Sequence, residues 1–438
     1  MKNYLLAGWL LLSAWSCQYS KSEDHAPVPS KVKAVAPVFP ALSDDEKEKY
    51  YNKVEVILQQ SLLRGSFNGA ILVAKNGTIV YEKYVGVTKP RTKDSITAET
   101  SFQIASTGKT LTSAAVLKLA QEGKLSLDDP LEKYFPNLPY PGITVKLLLN
   151  HRSGLPNYLN YMERGGWNRK QLATNADVLN TLINWHPTRA YAPGKHFNYC
   201  NTNYVLLALI VEKVSGMTFP EYMQQNIFGP LQMTNTFVHH INNKDSVLLS
   251  YQRNNALWTL DFSDGPYGDK NIYSTPRDLL KWDQALYGEN VLSKQMLDSA
   301  FTPYSNERPG IHNYGLGWRM LLLPNQKKVI YHNGHWHGFN SAFARLMDEH
   351  ATIIILTNKY NPGVYTTARR LYNVFDGYDG KQTMDDEENS NESVQDPTSN
   401  AETAAPVAKK PALKKAAVKK KTPAKKSTRK KTSTRKRT

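Results

Sequence analysis

Apolar and polar positions along the chain follow two periods. Val54, Val56, Ile57, Leu58, Leu62 and Leu63 recur at helical spacing behind an acidic turn of Asp44, Asp45 and Glu46, predicting a helix that opens at Ser43. Phe67 to Ala74 and Thr78 to Val85 are rich in β-branched and aromatic residues, and Lys75-Asn76-Gly77 between them is a hairpin signal. Leu111, Ala114, Ala115, Val116, Leu117 and Leu119 then form a nearly continuous apolar run, closed by Gly123 and free of proline. That run predicts a helix buried on most of its circumference, with Ser106 in its first turn. Leu125 to Asn137 reads as loop and short helix. Ile143 to Pro156, Val178 to Trp185, Tyr204 to Val214 and Phe219 to Phe228 read as helices, as does Leu279 to Tyr287 behind a cap at Ser274 to Asp278. Strands are expected over Tyr314 to Leu323, Lys328 to His332, Ala342 to Met347 and Thr352 to Thr357, and a closing helix over Val364 to Phe375. Helix, hairpin and buried helix in that order imply an antiparallel sheet with helices packed on it, an α/β fold of the α+β type.

The ends of the chain differ from this middle. Met1 to Ser16 carries Lys2 and an apolar run from Tyr4 to Leu12, too short to span a bilayer and patterned as a secretory signal. Cys17 follows Leu12-Ser-Ala-Trp-Ser16, which resembles the lipobox of bacterial lipoproteins, although Ala14 and Trp15 depart from its usual residues. Residues 18–42 read as a tether. At the other end, residues 379–400 are polar and acidic, and residues 401–438 hold 15 Lys and Arg against the single acid Glu402. That tail accounts for 14 of the 17 net positive charges of the 438-residue chain, so the basic balance does not describe the expected globular part, residues 43–378. Both tail segments have the composition of disorder. A solvated polycation is the plain reading of the Lys-rich stretch. A polyanion such as lipid headgroups or cell-envelope polymer is the alternative, and the export signal argues against nucleic acid. The two cysteines, Cys17 and Cys200, make neither a disulfide framework nor a cysteine metal site.

Three constellations carry candidate chemistry. Ser106 and Lys109 stand three apart on one helix face, so the amine can approach the hydroxyl, while the helix N-terminus favours negative charge there. A lysine whose pKa is lowered can serve as the base a serine nucleophile needs. Ser-x-x-Lys also occurs at Ser30, Ser427 and Ser433, and a capping serine with a solvated lysine would look the same. Tyr199 and Asn201 stand two apart before the helix at Tyr204, where a phenol can share a proton and a carboxamide can hold a substrate amide. Tyr-x-Asn likewise recurs, at Tyr50, Tyr158 and Tyr304, and can be a buried tyrosine beside a capping asparagine. His332, His335 and His337 lie between two strands. No acid or cysteine is near in sequence to complete a metal shell, and Gly334 and Gly338 suit a strand edge approached by a ligand.

The order Phe102-x-x-x-Ser106-x-x-Lys109, then Pro193-Gly-x-x-Phe197-x-Tyr199-x-Asn201, then His332-x-Gly334 with Gly338-Phe-x-Ser341 resembles the serine β-lactamase / penicillin-binding protein superfamily. The branch resembled is the class C-like one, which includes DD-peptidases, D-amino-acid amidases and esterases. The resemblance covers about Ser43 to Tyr378 and implies an antiparallel sheet flanked by helices plus a helical subdomain, with the site between them. It implies an exported serine hydrolase acting through an acyl-enzyme on an amide or ester, with no cofactor and no metal. By position, Ser106 is the acylated nucleophile, and Lys109 and Tyr199 together handle its proton. Asn201 orients substrate. His332, Asn333 and Gly334 take the place of the Lys-Thr-Gly strand motif, and the N–H groups of Ser106 and His335 form the oxyanion hole. Histidine in place of lysine and Asn333 in place of threonine weaken recognition of a substrate carboxylate, which ranks peptidase or esterase above β-lactamase. Cys200 is expected to be a small packing residue, and Cys17 the lipidation site of an envelope-anchored protein. The alternative is a penicillin- or peptidoglycan-binding module with little turnover, held to anionic surfaces by the tail.

Overall fold

The computed structural model describes residues 39–241 and 247–378, all within one compact unit. The signal segment, Cys17, most of the expected tether and the acidic and Lys-rich tail lie outside these residues.

The chain packs from Phe39, whose ring meets Tyr287 and His350, so the last residues of the expected tether belong to the folded part. Helix α1 (Asp44–Gln59) begins with a capping box between Ser43 and Glu46, and Val54 and Leu58 bury its inner face. Strands β1 (Gly69–Lys75) and β2 (Thr78–Val85) form the expected hairpin, turning through Asn76 and Gly77 with both φ positive. After β3 (Phe102–Gln103), a 3-10 turn over Ala105–Gly108 leads into α2 (Lys109–Gln121). The helical region follows as α3 (Val145–Leu149), α4 (Tyr158–Arg164), α5 (Asn175–Trp185), α6 (Asn201–Ser215) and α7 (Phe219–Met223). Strands β4 (Phe237–Val238) and β5 (Ile272–Ser274) join β3 in a small sheet. The remaining elements are α8 (Pro276–Ala285), α9 (Lys294–Ala300), β6 (His312–Tyr314), β7 (Arg319–Leu322), β8 (Lys328–Trp336), β9 (Phe339–Leu346), β10 (Ala351–Thr357) and α10 (Gly363–Arg370).

Seven strands form one antiparallel sheet in the order β2-β1-β10-β9-β8-β7-β6. The N-terminal hairpin thus docks on the last strand. Ile71, Val73, Ile353 and Ile355 face α1 and α10 in one core, while Leu72, Ile354 and Phe343 face α2 and α8 in the other. A third cluster of Tyr158, Met162, Val178, Val205 and Phe262 holds α4 to α6. Among the described residues no helix is long and apolar enough to cross a membrane.

Three expectations change. The strand read over Tyr314 to Leu323 is broken, with β6 ending at Tyr314 and β7 beginning at Arg319, and Gly317 turns between them with φ +88. The helix read over Ile143 to Pro156 is only Val145–Leu149. His151 leaves it with φ +56, and its carbonyl and ring nitrogen take the N–H groups of Asn198 and Cys200. Tertiary hydrogen bonds outweigh helix continuation there. The strand read as ending at His332 runs on to Trp336, because β9 pairs with it along its whole length and the reversal comes at His337 with φ +52.

Candidate active site

Four elements converge on Ser106. The serine sits, half-buried, in the 3-10 turn ahead of α2, behind Ala105, which is held at φ +47. A non-glycine residue in that region stores strain, and here it precedes the candidate nucleophile. The turn is clamped to the sheet: Ser341 Oγ donates to Ile104 O at 2.7 Å, and Thr107 Oγ1 reaches His332 O at 3.1 Å. A Cβ on Gly334 would stand 2.3 Å from Ile104 O and 3.0 Å from Ser106 N, so glycine alone lets β8 lie this close.

Lys109 is the first residue of α2 and is fully buried. Its Nζ lies 3.0 Å from Ser106 Oγ, 2.9 Å from Asn201 Oδ1 and 2.7 Å from the carbonyl of Asp269. Burial lowers its pKa to about 7. The charge of Arg319 acts in the same direction and Asp269 opposes it. An uncharged lysine has two hydrogens and one lone pair. Asn201 Oδ1 and Asp269 O can only accept, so they take the two hydrogens and leave the lone pair facing the Ser106 hydroxyl. A general base with a pKa near 7 is at its most effective at neutral pH.

Tyr199 comes from the approach to α6, one residue ahead of its N-cap Cys200. Its ring centroid is 5.1 Å from Lys109 Nζ and 5.2 Å from the Arg319 guanidinium, and 4.2 Å from the ring of His151. Asn201 is the first residue of α6. Cys200 is buried with Sγ on Leu155 O, and burial raises its pKa to about 11, in keeping with a packing role.

On β8 the side chains alternate. His332 and Gly334 turn to the face of the Ser106 turn, and Asn333 and His335 to the other. His332 is fully buried, with Nδ1 2.7 Å from Asn333 O and Nε2 3.2 Å from Tyr314 Oη. A carbonyl can only accept, so Nδ1 carries the proton and Nε2 accepts from the phenol. Burial, with Arg319 and Lys109 nearby, pushes its pKa well below the usual histidine range. His332 is therefore neutral, with both nitrogens engaged. The carbonyl of Gly334 accepts from Tyr365 at 2.8 Å, and β7 pairs with β8 only as far as Tyr331. His335 Nε2 lies 3.1 Å from His337 O, and the three histidines do not converge. The fold does bring an acid that the sequence order conceals. Asp264 lies 2.9 Å from His337 Nε2 and accepts the Trp336 N–H at 2.7 Å.

Sequence reasoning missed Asp269, Lys270, His151, Tyr158 and Arg319. Asp269-Lys270 sits between Gly268 and Asn271, both with positive φ, and so reads as a solvated turn although both residues are buried. Arg319 opens a strand, and nothing local marks it for the site.

Comparison with known proteins finds relatives along most of the folded region. The family described as Beta-lactamase matches residues 57–375. The chain is 31% identical to penicillin-binding protein 4* of Bacillus subtilis (strain 168) over 321 residues, 69% of this chain and 70% of that protein. A penicillin binding protein from Bacillus halodurans shares the fold, with a TM-score of 0.65 at 24% identity over 74% of this chain and 99% of that one. An octameric penicillin-binding protein homologue from Pyrococcus abyssi superposes with a TM-score of 0.63 at 26% identity, over 74% of this chain and 76% of its own.

Proposed function

Since the chain belongs to the β-lactamase family of serine acyl-enzyme hydrolases, we propose that it cleaves an amide or ester through an acyl-enzyme on Ser106. The observation that carries this reading is the buried Lys109 amine, 3.0 Å from Ser106 Oγ with a pKa of about 7. Lys109 takes the hydroxyl proton as Oγ attacks the substrate carbonyl. The oxyanion forms between the N–H groups of Ser106 and His335. The proton passes by way of Lys109 and Tyr199 to the departing amine or alkoxide, and water then releases the acid and restores Ser106. Asn201 holds both the Lys109 amine and the substrate amide. Loss of one oxyanion donor costs about 10²–10³ in rate, so the whole set is needed for turnover.

The neutral, enclosed His332 offers no cation to a substrate carboxylate, whether of a β-lactam or of a D-Ala-D-Ala peptide. Arg319, stacked on Tyr199, is the permanent charge bordering the site and fits the carboxylate of a peptide C-terminus. Export and lipidation at Cys17, with the basic tail on an anionic envelope surface, complete the proposal. Asn333 lies along the strand edge that substrate would meet.

The test is intact mass after incubation with benzylpenicillin, beside Ser106→Ala, followed by turnover of a short-chain ester and a D-Ala-D-Ala peptide. A stable adduct lost in the variant supports peptidase chemistry. Ester cleavage that needs Ser106, without an adduct and with penicillin intact, supports an esterase. Destruction of penicillin without an adduct restores the β-lactamase reading. A persistent adduct with no turnover of either substrate favours a penicillin-binding module, and no Ser106-dependent chemistry removes the hydrolase reading for these substrates.

A further inference from the structure

The reaction proposed above leaves a buried ion pair beside the site without a task. The side chains of Lys270 and Asp269 are 3% and 2% exposed, with Nζ 3.2 Å from Oδ2. Lys270 also donates to Tyr158 Oη and lies over the indole of Trp336, 4.4 Å from its centroid. Tyr158 Oη stands 3.1 Å from the same Asp269 oxygen. Asp269 Oδ1 is buried with no hydrogen-bond partner among the described residues. The backbone carbonyl of this same Asp269 accepts from Lys109 at 2.7 Å.

A buried charge needs a counter-charge, and an unpaired carboxylate takes the nearest proton or cation. Asp269 is the carboxylate whose field raises the proton affinity of Lys109. If Lys270 were absent, Lys109 would become its counter-ion, held as an ammonium with no lone pair for Ser106. Two neighbouring lysines in a dry site do not both charge readily, and the structure distributes them: Lys270 on the carboxylate, Lys109 on three neutral oxygens.

We propose that Lys270 is a positioning residue for proton transfer, which neutralises Asp269 so that the Lys109 amine stays an uncharged acceptor aimed at Ser106. The inference rests on the acyl-enzyme reading above. Other groups also face Lys109. The 3-10 turn brings Ser106. The approach to α6 and the helix itself bring Tyr199, Cys200, Asn201 and Tyr204. Beyond them, β7 brings the charge of Arg319, β8 the neutral His332, and the chain after α3 the neutral His151. Burial lowers the Lys270 pKa, and Asp269 and Asp264, the latter accepting the Trp336 N–H, oppose it.

The test follows Lys109 by 13C NMR titration of the full chain labelled with [ε-13C]lysine, assigned with Lys109→Arg. Lys270→Met is expected to raise the Lys109 pKa, and Asp269→Asn to lower it, each by about one pH unit or more. The double variant returns close to the wild-type value, and Lys270→Arg leaves it there. The rising limb of kcat/KM against pH for a short-chain ester moves with it. No shift in either single variant overturns the proposal. So does a rise in both, which is what loosened packing and entering water would produce. If Lys270→Met does not fold, Lys270→Gln, which also removes the charge, gives the same reading. Ser106→Ala runs in parallel. Activity that survives it overturns the acyl-enzyme reading, whatever the lysine titrations show.

Discussion

Gly334 and Ser106 are packed backbone to backbone: a Cβ added to the glycine would lie 3.0 Å from the serine amide nitrogen. The strand that supplies one proposed oxyanion donor is thereby set against the residue that supplies the other. Gly334→Ala must push β8 off the turn, since the same Cβ meets Ile104 O at 2.3 Å. We expect acylation by an ester or penicillin to fall by about 10²–10³. Circular dichroism should show a retained fold.

The pH profile follows from Lys109. If, as proposed, the uncharged amine is the active form, kcat/KM rises with pH through about 7 and levels above it. Lys109→Met should remove the limb and lower the rate by about 10²–10⁴. Ester hydrolysis from pH 5 to 9 checks both.

The same residue opposes folding. The folded pKa is about 7 against an ordinary 10.5, so between those values the unfolded chain binds the extra proton and burial weakens the fold. Lys109→Met is therefore expected to stabilise the protein by on the order of 1–4 kcal/mol while lowering the rate. The gain should be largest below pH 7 and shrink as pH rises toward 10.5, and thermal melts across pH measure it.

Arg319 separates substrates. Arg319→Gln is expected to raise KM for a D-Ala-D-Ala peptide by about tenfold or more, the loss of one charge-assisted contact. A neutral ester should keep its KM. Equal effects on both substrates would assign Arg319 to the support of Tyr199 instead.

Away from the site, Arg345 and Asp283 are both fully buried, with Nε 2.5 Å from Oδ1, and Thr352 holds the other carboxylate oxygen at 2.6 Å. The pair ties α8 to β9 and β10. Asp283→Ala should cost about 3–5 kcal/mol, because it strands a buried guanidinium. The midpoint of the kcat/KM profile should stay in place.

Much of the fold was legible because its signals are local. The capping box at Ser43, the Asn76-Gly77 turn and Gly123 behind α2 each fix a boundary through a side chain or a φ that neighbouring residues do not supply. The failures are places where distant partners overrule local preference. The helix at Ile143 stops early because His151 is needed against Tyr199 and Tyr204, and β8 runs on because β9 pairs with it.

For the site, the sequence by itself determined the three motifs, their order, and the reach of a lysine one turn from a serine. Such facts depend on spacing along one helix or strand. Only the tertiary structure decided that Lys109 is buried with a lowered pKa, that His332 is neutral, and that Asp269-Lys270 is a buried pair beside the candidate site. Protonation depends on which charges and carbonyls surround a group in space and on the exclusion of water. Residues 160 positions away supply that environment to Lys109, and no local pattern records it.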